Sequence, residues 1–239
     1  EKISVKMCDY VLVMIEESRD RLINKNVSPK KISIVSNTPP LYSTWNGKRK
    51  HSGEEIRVVY VGFITELRGL DLLVRATKLF LDQVPGENSI KVDIVGKGSV
   101  KEKLTQLVRE LKLQDNVTVH GWLETNQIDE ILRRANVGAL TYRVCGHWNH
   151  TIPNKLFDYM VAGLPVLATE VIPIARIINE EKCGLVCKDQ DVEDIAKKLL
   201  ELRDPELRQY FGKNGFDAIS NRYNWEVDEE RFISVLSLI

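Results

Sequence analysis

Six short runs rich in β-branched residues alternate with helical periods along most of this chain. The runs are IRVVYV (56–61), IKVDIV (90–95), VTVH (117–120), VGAL (137–140), PVLA (165–168) and GLVC (184–187). Between them lie apolar stripes at helical spacing. Val100, Leu104, Leu107, Val108 and Leu111 form one, and Leu72, Leu73, Ala76 and Phe80 another. Ile128, Ile131 and Leu132, then Val192, Ile195, Ala196 and Leu199, continue the alternation. Strands that alternate with helices build a parallel sheet covered on both faces. The expected fold is α/β, a Rossmann-like parallel sheet of about six strands with helices on both sides.

Composition narrows the function classes. The 239 residues carry 34 Lys and Arg against 34 Asp and Glu, so the basic surface of a nucleic-acid binder is not expected. With 43% hydrophobic and 28% charged residues the chain reads as globular, not disordered. The most apolar stretch, Val161 to Ala175, is broken by Glu170 and two prolines, so no transmembrane segment is expected. Cys8, Cys145, Cys183 and Cys187 are scattered, and free thiols in a reducing, cytoplasmic compartment are expected. The first residue is Glu1, with no signal-peptide pattern after it, and the chain reads as an excised piece of a longer one.

One shift in composition occurs between Asn37 and Glu55, where paired prolines, two glycines and a basic run suggest a linker. Before it, YVLVMI, SRDRLINKN and KISIV read as strand, helix and strand. That single βαβ unit is too small to bury its own core and is expected to belong to a further domain. The division expected is 1–40, a linker over 41–54, and a regular domain over 55–239.

Ligands of parallel sheets sit beyond the carboxyl ends of the strands, so chemistry is sought in the loops there. In the first loop Gly62 ends a strand and Arg68-Gly69 opens a helix. A glycine permits close backbone approach, a helix N-terminus attracts anions, and Arg presents a fork suited to phosphate. A turn glycine with a solvated Arg is the plainer reading. In the second loop Gly96-Lys97-Gly98 lacks the third glycine of a dinucleotide fingerprint and could be only a tight turn. The fourth loop, from Thr141 onward, is the longest. It leads through Thr151 and Ile152 to Pro153, which suits the first position of a helix. The amides of Asn154 and Lys155 would then face the space above the sheet. Asp158 shares their helix face. Donors, a cation and a carboxylate one turn below suit a nucleoside diphosphate, with the carboxylate on the ribose. Cys145, His147 and His150 in the same loop invite a zinc reading, but no fourth ligand is evident and polar lining is the better account.

These pieces resemble the retaining nucleotide-sugar glycosyltransferases of family 4, also called group 1, with the GT-B fold. VGFITELRGLDLLVRA, DIVGKG, NVTVHGWLETNQIDEILRRANVGAL, CGLVC and above all PNKLFDYM-x-AGLPV stand in that family's order and spacing. CDYVLVMIEESRDRL and ISIVSNTPP resemble the last βαβ of its N-terminal domain, and RYNWEV resembles the start of its closing helix. The resemblance implies the C-terminal, donor-binding half of a two-domain enzyme, with a UDP-sugar the leading donor and a GDP-sugar the alternative. It implies transfer without an obligatory metal, and a saccharide or lipid-linked acceptor held mainly by the absent domain. It further implies a role in bacterial surface polysaccharide synthesis and a place at the inner face of the membrane through that domain.

Arg68 stands where the family usually has a Lys on the donor pyrophosphate, and Phe63 where it has an Arg. His150 and Asp158 take the positions of two glutamates, and Lys155 is placed to restore the missing cation. Gly62, Gly96, Gly121, Thr151, Ile152 and Asn154 complete the implied donor site, with the base near His120, Gly121 and Trp122. Arg68 and Lys155 are the implied catalytic pair, stabilising charge on the departing diphosphate. The departures at Phe63, His150 and Asp158 keep a non-catalytic nucleotide-sugar-binding relative as an alternative. An NAD-dependent oxidoreductase is weaker, because the first loop lacks its glycine fingerprint.

Overall fold

The computed structural model describes residues 2–41, 49–84 and 89–238. The chain opens with α1 (Lys2–Met7), β1 (Val11–Val13), α2 (Glu16–Ile23) and β2 (Ile32–Ile34). β1 and β2 pair in parallel as a two-stranded sheet. The strand–helix–strand order expected from the sequence is present, with α2 starting at Glu16 instead of Ser18. Glu16 and Glu17 place two carboxylates in its first turn, where the helix dipole favours them.

The linker expected over 41–54 is described only at Leu41 and from Arg49 onward; 42–48 lie outside the described residues. Residues from Arg49 dock on the underside of the larger sheet. Arg49 Nε donates to the Ala162 carbonyl at 2.8 Å and its Nη2 to Leu132 at 2.8 Å, with further bonds to the carbonyls of Arg133 and Ala135.

The larger unit runs β3 (Ile56–Val61), α3 (Leu70–Gln83), β4 (Ile90–Val95), α4 (Lys101–Glu110), β5 (Val117–Gly121), α5 (Thr125–Arg134) and β6 (Val137–Leu140). It continues with α6 (Asn154–Val161), β7 (Val166–Thr169), α7 (Ile172–Glu181), β8 (Gly184–Cys187), α8 (Val192–Glu201), α9 (Pro205–Asn221) and α10 (Trp225–Leu236). The six strands form one parallel sheet in the order β5-β4-β3-β6-β7-β8. The apolar runs become strands because β3, β6 and β7 are covered on both faces; Ile56, Val58, Val59 and Tyr60 of β3 have no solvent exposure. α3 packs on α4 and α8, while α6 and α7 pack on α9. The stripe from Leu104 to Val108 is the buried face of α4, as its spacing predicts.

Strand order reverses between β3 and β6. Such a switch point opens a crevice at the carboxyl ends, because the loops on its two sides leave in opposite directions. The β3–β6 ladder is short, pairing Val58 with Val137 and Val59 with Gly138. Above it, the loops after β3 and β6 face each other. No helix among the described residues is long and apolar enough to cross a membrane.

Candidate functional site at the strand switch

The loop after β3 is held open by its own strand. Tyr60, fully buried, donates its hydroxyl to the Phe63 carbonyl at 2.7 Å. The Phe63 side chain is left 58% exposed, so the position where the resembled family carries a cation presents a bare ring to solvent. A 3-10 turn over Glu66–Arg68 follows, and Gly69 closes it at φ 59°. A Cβ on Gly69 would lie 2.0 Å from the Thr141 carbonyl oxygen, so this glycine is required for backbone contact between the two loops.

The other loop glycines act in the same way. A Cβ on Gly96 would stand 1.8 Å from the Gly62 carbonyl oxygen, and one on Gly98 2.0 Å from that of Ile64. Ile64 N–H donates to Lys97 O at 2.9 Å, Val100 N–H to Ile64 O at 3.3 Å, and Gly96 N–H to Gly121 O at 2.7 Å. Gly96-Lys97-Gly98 is therefore an interlock between the ends of β3, β4 and β5. It is more than the tight turn that spacing alone allowed.

Arg68 lies where the first and fourth loops meet. Its guanidinium carbon is 4.3 Å from the Tyr142 ring centroid and 4.4 Å from that of Trp148. Among the described residues no carboxylate pairs with it. Arg143, next in the loop, is instead neutralised by Asp71 at 2.7 Å. Burial raises the phenols of Tyr60, Tyr142 and Tyr159 above their ordinary value, so all three stay protonated near neutral pH.

The fourth loop carries a 3-10 turn, Trp148–His150, and then enters α6. His150 is exposed, and its carbonyl accepts the Ser18 hydroxyl of α2 at 3.0 Å. Pro153 is the N-cap of α6, one position before the first-turn place expected for it. No side chain caps this end, so the amides of Asn154 and Lys155 head the helix with its positive dipole end behind them. Lys155 pairs with Asp158 at 2.7 Å, both over a third exposed. The cation and the carboxylate expected to divide a nucleotide between them thus hold each other in the free protein. Thr151 is half-buried on the approach, whereas the Ile152 side chain is buried, so Ile152 offers a ligand only its main chain. No hydrogen bond or ion pair among the described residues joins Arg68 to Lys155 or Asp158.

At the far end, Gly121 closes β5 at φ 83° with the Lys101 ammonium against it. Trp122 is 69% exposed and Lys97 stands 5.1 Å from its ring. His120 is bonded to Asp93 at 2.6 Å, so its imidazole is already engaged. Sequence reasoning gave Lys97 no role beyond its turn and passed over Tyr142, Trp148 and Lys101. The aromatic pair in the fourth loop and the lysine between two glycines were its only signals. Cys145, His147 and His150 do not converge, and no group of three or more His, Cys, Asp or Glu among the described residues could hold a metal ion. All four cysteines are free, and burial pushes Cys183 and Cys187 up to about 12.

Two hollows flank the site. One of about 350 Å³ lies between the small sheet and α6, with Ile152, Phe157 and Ile177 in its wall. The other, about 370 Å³, lies between α3 and α4 beside Asp71 and Arg143. Neither is lined by Arg68, Lys155 or Asp158.

The model of the family described as glycosyl transferases group 1 matches residues 43–218. The poly(ribitol-phosphate) alpha-N-acetylglucosaminyltransferase of Staphylococcus aureus is 24% identical over 229 residues, covering 95% of this chain and 43% of that protein. A crystal structure of an S. aureus TarM mutant with Fondaparinux, alpha-GlcNAc-glycerol and UDP superposes with a TM-score of 0.79 at 22% identity, covering 98% of this chain and 45% of that one. Anabaena HepE in complex with UDP and glucose superposes at 0.76 with 14% identity, covering 100% of this chain and 68% of that one. At these identities the superpositions establish the fold. The chain spans about half the length of the curated relatives it matches.

Proposed function

The chain belongs to the group 1 glycosyl transferases, and from that premise we propose that it is the donor-binding half of a retaining enzyme. The division proposed is residues 1–40 from the acceptor-side domain, 41–54 as a linker, and 55–239 as the donor domain. The enzyme moves a sugar from a nucleoside diphosphate, UDP first, to a saccharide or lipid-linked acceptor in bacterial surface polysaccharide assembly. The observation that carries this reading is the strand switch point, where among the described residues Arg68 has no carboxylate partner and α6 has no side-chain cap. Similarity to a relative named for transfer to a poly(ribitol-phosphate) supports the polymer class.

As the bond from the anomeric carbon to the phosphate oxygen breaks and that carbon bonds to the acceptor hydroxyl oxygen, negative charge grows on the departing diphosphate, which takes up the hydroxyl proton. Arg68 and the amides of Asn154 and Lys155 are fixed donors that stabilise it where it develops, with little reorganisation. Lys155 exchanges Asp158 for phosphate, and Asp158 is released to accept ribose hydroxyls. No obligatory metal is invoked, since the cations and the helix end carry that charge.

Calorimetric titration of this chain with UDP, GDP, ADP and NAD, with and without magnesium, tests the reading. We expect one nucleoside diphosphate to bind without magnesium. Preference for NAD, or absence of binding by all four, would overturn it.

A further inference from the structure

A cation meant for a ligand must be held in place without being neutralised. Two other arginines of this chain are neutralised by carboxylates: Arg143 by Asp71, and Arg176 by Glu16, Glu17 and Glu180. Arg68 is held differently. Its guanidinium lies in the angle between two rings, 4.3 Å from Tyr142 and 4.4 Å from Trp148. The rings stand 4.8 Å apart, inclined by 48°. Tyr142 is 1% and Trp148 8% exposed, so the cation–ring contacts are largely shielded from water, where such contacts are strongest.

The loop after β6 also grips the turn that carries Arg68. Thr141 Oγ1 donates to the carbonyls of Gly69 at 3.1 Å and Arg68 at 3.3 Å, and Arg143 N–H donates to Leu67 O at 3.0 Å. His147 also meets the Trp148 ring, in an edge-type contact at 4.6 Å. A further feature points to the ring itself. Trp148 Nε1 is buried with no hydrogen-bond acceptor, an arrangement native proteins rarely keep without a use for the group. Indole has the strongest cation-attracting face of the aromatic side chains, which gives a reason to keep Trp despite its orphaned N–H.

We infer that Tyr142 and Trp148 are positioning residues that hold the Arg68 guanidinium against their rings, Tyr142 also through its hydroxyl, in place of a carboxylate, so that its charge stays uncompensated for the phosphates of the leaving group. The inference rests on the donor reading above and deepens it. A carboxylate in that position would compete with the substrate anion. A ring face orients the cation and leaves its charge in place.

The test is titration of wild type, Trp148→Leu, Trp148→Phe, Arg68→Ala and the Arg68→Ala/Trp148→Leu double variant with UDP, inorganic pyrophosphate and uridine. Trp148→Leu is expected to weaken UDP and pyrophosphate by about tenfold and to leave uridine within about twofold, the loss of one shielded cation–ring contact. Trp148→Phe is expected to return UDP to within about threefold of wild type, because a ring face is restored. In the Arg68→Ala background the Leu change should do nothing further. No loss in Trp148→Leu, equal loss for uridine, or failure of Phe to rescue would each overturn the positioning role while leaving the donor reading intact. An unchanged UDP affinity in Arg68→Ala, or no UDP binding by wild type, would overturn the donor reading and the inference with it.

Discussion

The backbone N–H of Val61, the last residue of β3, donates to the hydroxyl of Tyr159 on α6 at 3.0 Å. The β3–β6 ladder has ended by this point, and the phenol takes the place of the missing strand partner. Tyr159 packs against Gly138, whose Cβ, had it one, would lie 2.4 Å from the ring. One side chain thereby fixes the height of α6 above the switch point.

Tyr159→Phe keeps the ring and removes the acceptor, leaving a buried N–H unpaired. The expected loss is about 1–3 kcal/mol of folding stability. Urea unfolding would measure it, and an unchanged midpoint would show that the hydroxyl does not matter.

Asp158 and Lys155 neutralise each other in the free protein, so their substitutions should separate the two ends of a nucleotide. Lys155→Ala is expected to weaken UDP and pyrophosphate alike, by roughly 1.5–3 kcal/mol, as for a charge-assisted hydrogen bond. Asp158→Asn frees the lysine, so pyrophosphate should hold or gain while UDP weakens by about 1 kcal/mol through the ribose. Parallel losses for both ligands in Asp158→Asn would refute its ribose role.

Gly98→Ala should be far more damaging than its small size suggests. The new methyl would meet the Ile64 carbonyl, which already accepts Val100 N–H at the start of α4. Neither backbone can yield without breaking the interlock, and about 2–4 kcal/mol of stability should go. Gly146→Ala, whose Cβ would meet nothing within 4 Å, is the control and should change thermal stability little.

Acid sensitivity should trace to His51. Its Nε2–H donates to the Gly163 carbonyl at 3.1 Å, while Nδ1 is buried without a partner. Burial, aided by the positive charges of Arg49 and Arg208, lowers its pKa to about 4, against the bond to Gly163. The folded state resists protonation that the unfolded state accepts from about pH 6.5 downward. The contribution is therefore whole above that pH and is lost as pH falls towards 4. His51→Gln should flatten the fall in melting temperature over this window, and identical slopes for both proteins would refute the assignment.

The strands were legible because burial on both faces leaves an unbroken apolar run. IRVVYV and IKVDIV coincide with β3 and β4 residue for residue. PVLA is offset by one, since Pro165 has no N–H for the ladder and β7 starts at Val166. The 17-residue helix α9 escaped notice, as Gly212 and Gly215 weaken its helical signal. Those glycines let α9 close on α6: a Cβ on Gly212 would stand 2.3 Å from the Gly163 carbonyl oxygen, and one on Gly215 3.3 Å from Met160. At the site, residue types along one segment were readable, as with Lys155 and Asp158. Contacts between segments were not. Nothing within the fourth loop says that Tyr142 and Trp148 meet an arginine some seventy residues earlier.

Arg49 ties the chain to the ends of two helices, at Ala162 of one and at Leu132, Arg133 and Ala135 of the other. The smallest piece that keeps the candidate site intact therefore begins before the first strand of the large sheet. A protein trimmed to start at Ile56 would leave four carbonyls without their shared donor, and one loosened end would be that of the helix whose opposite tip carries Asn154 and Lys155. Residues ahead of the large sheet thus anchor the end of that helix opposite the candidate site, and a trimming boundary belongs upstream of Arg49.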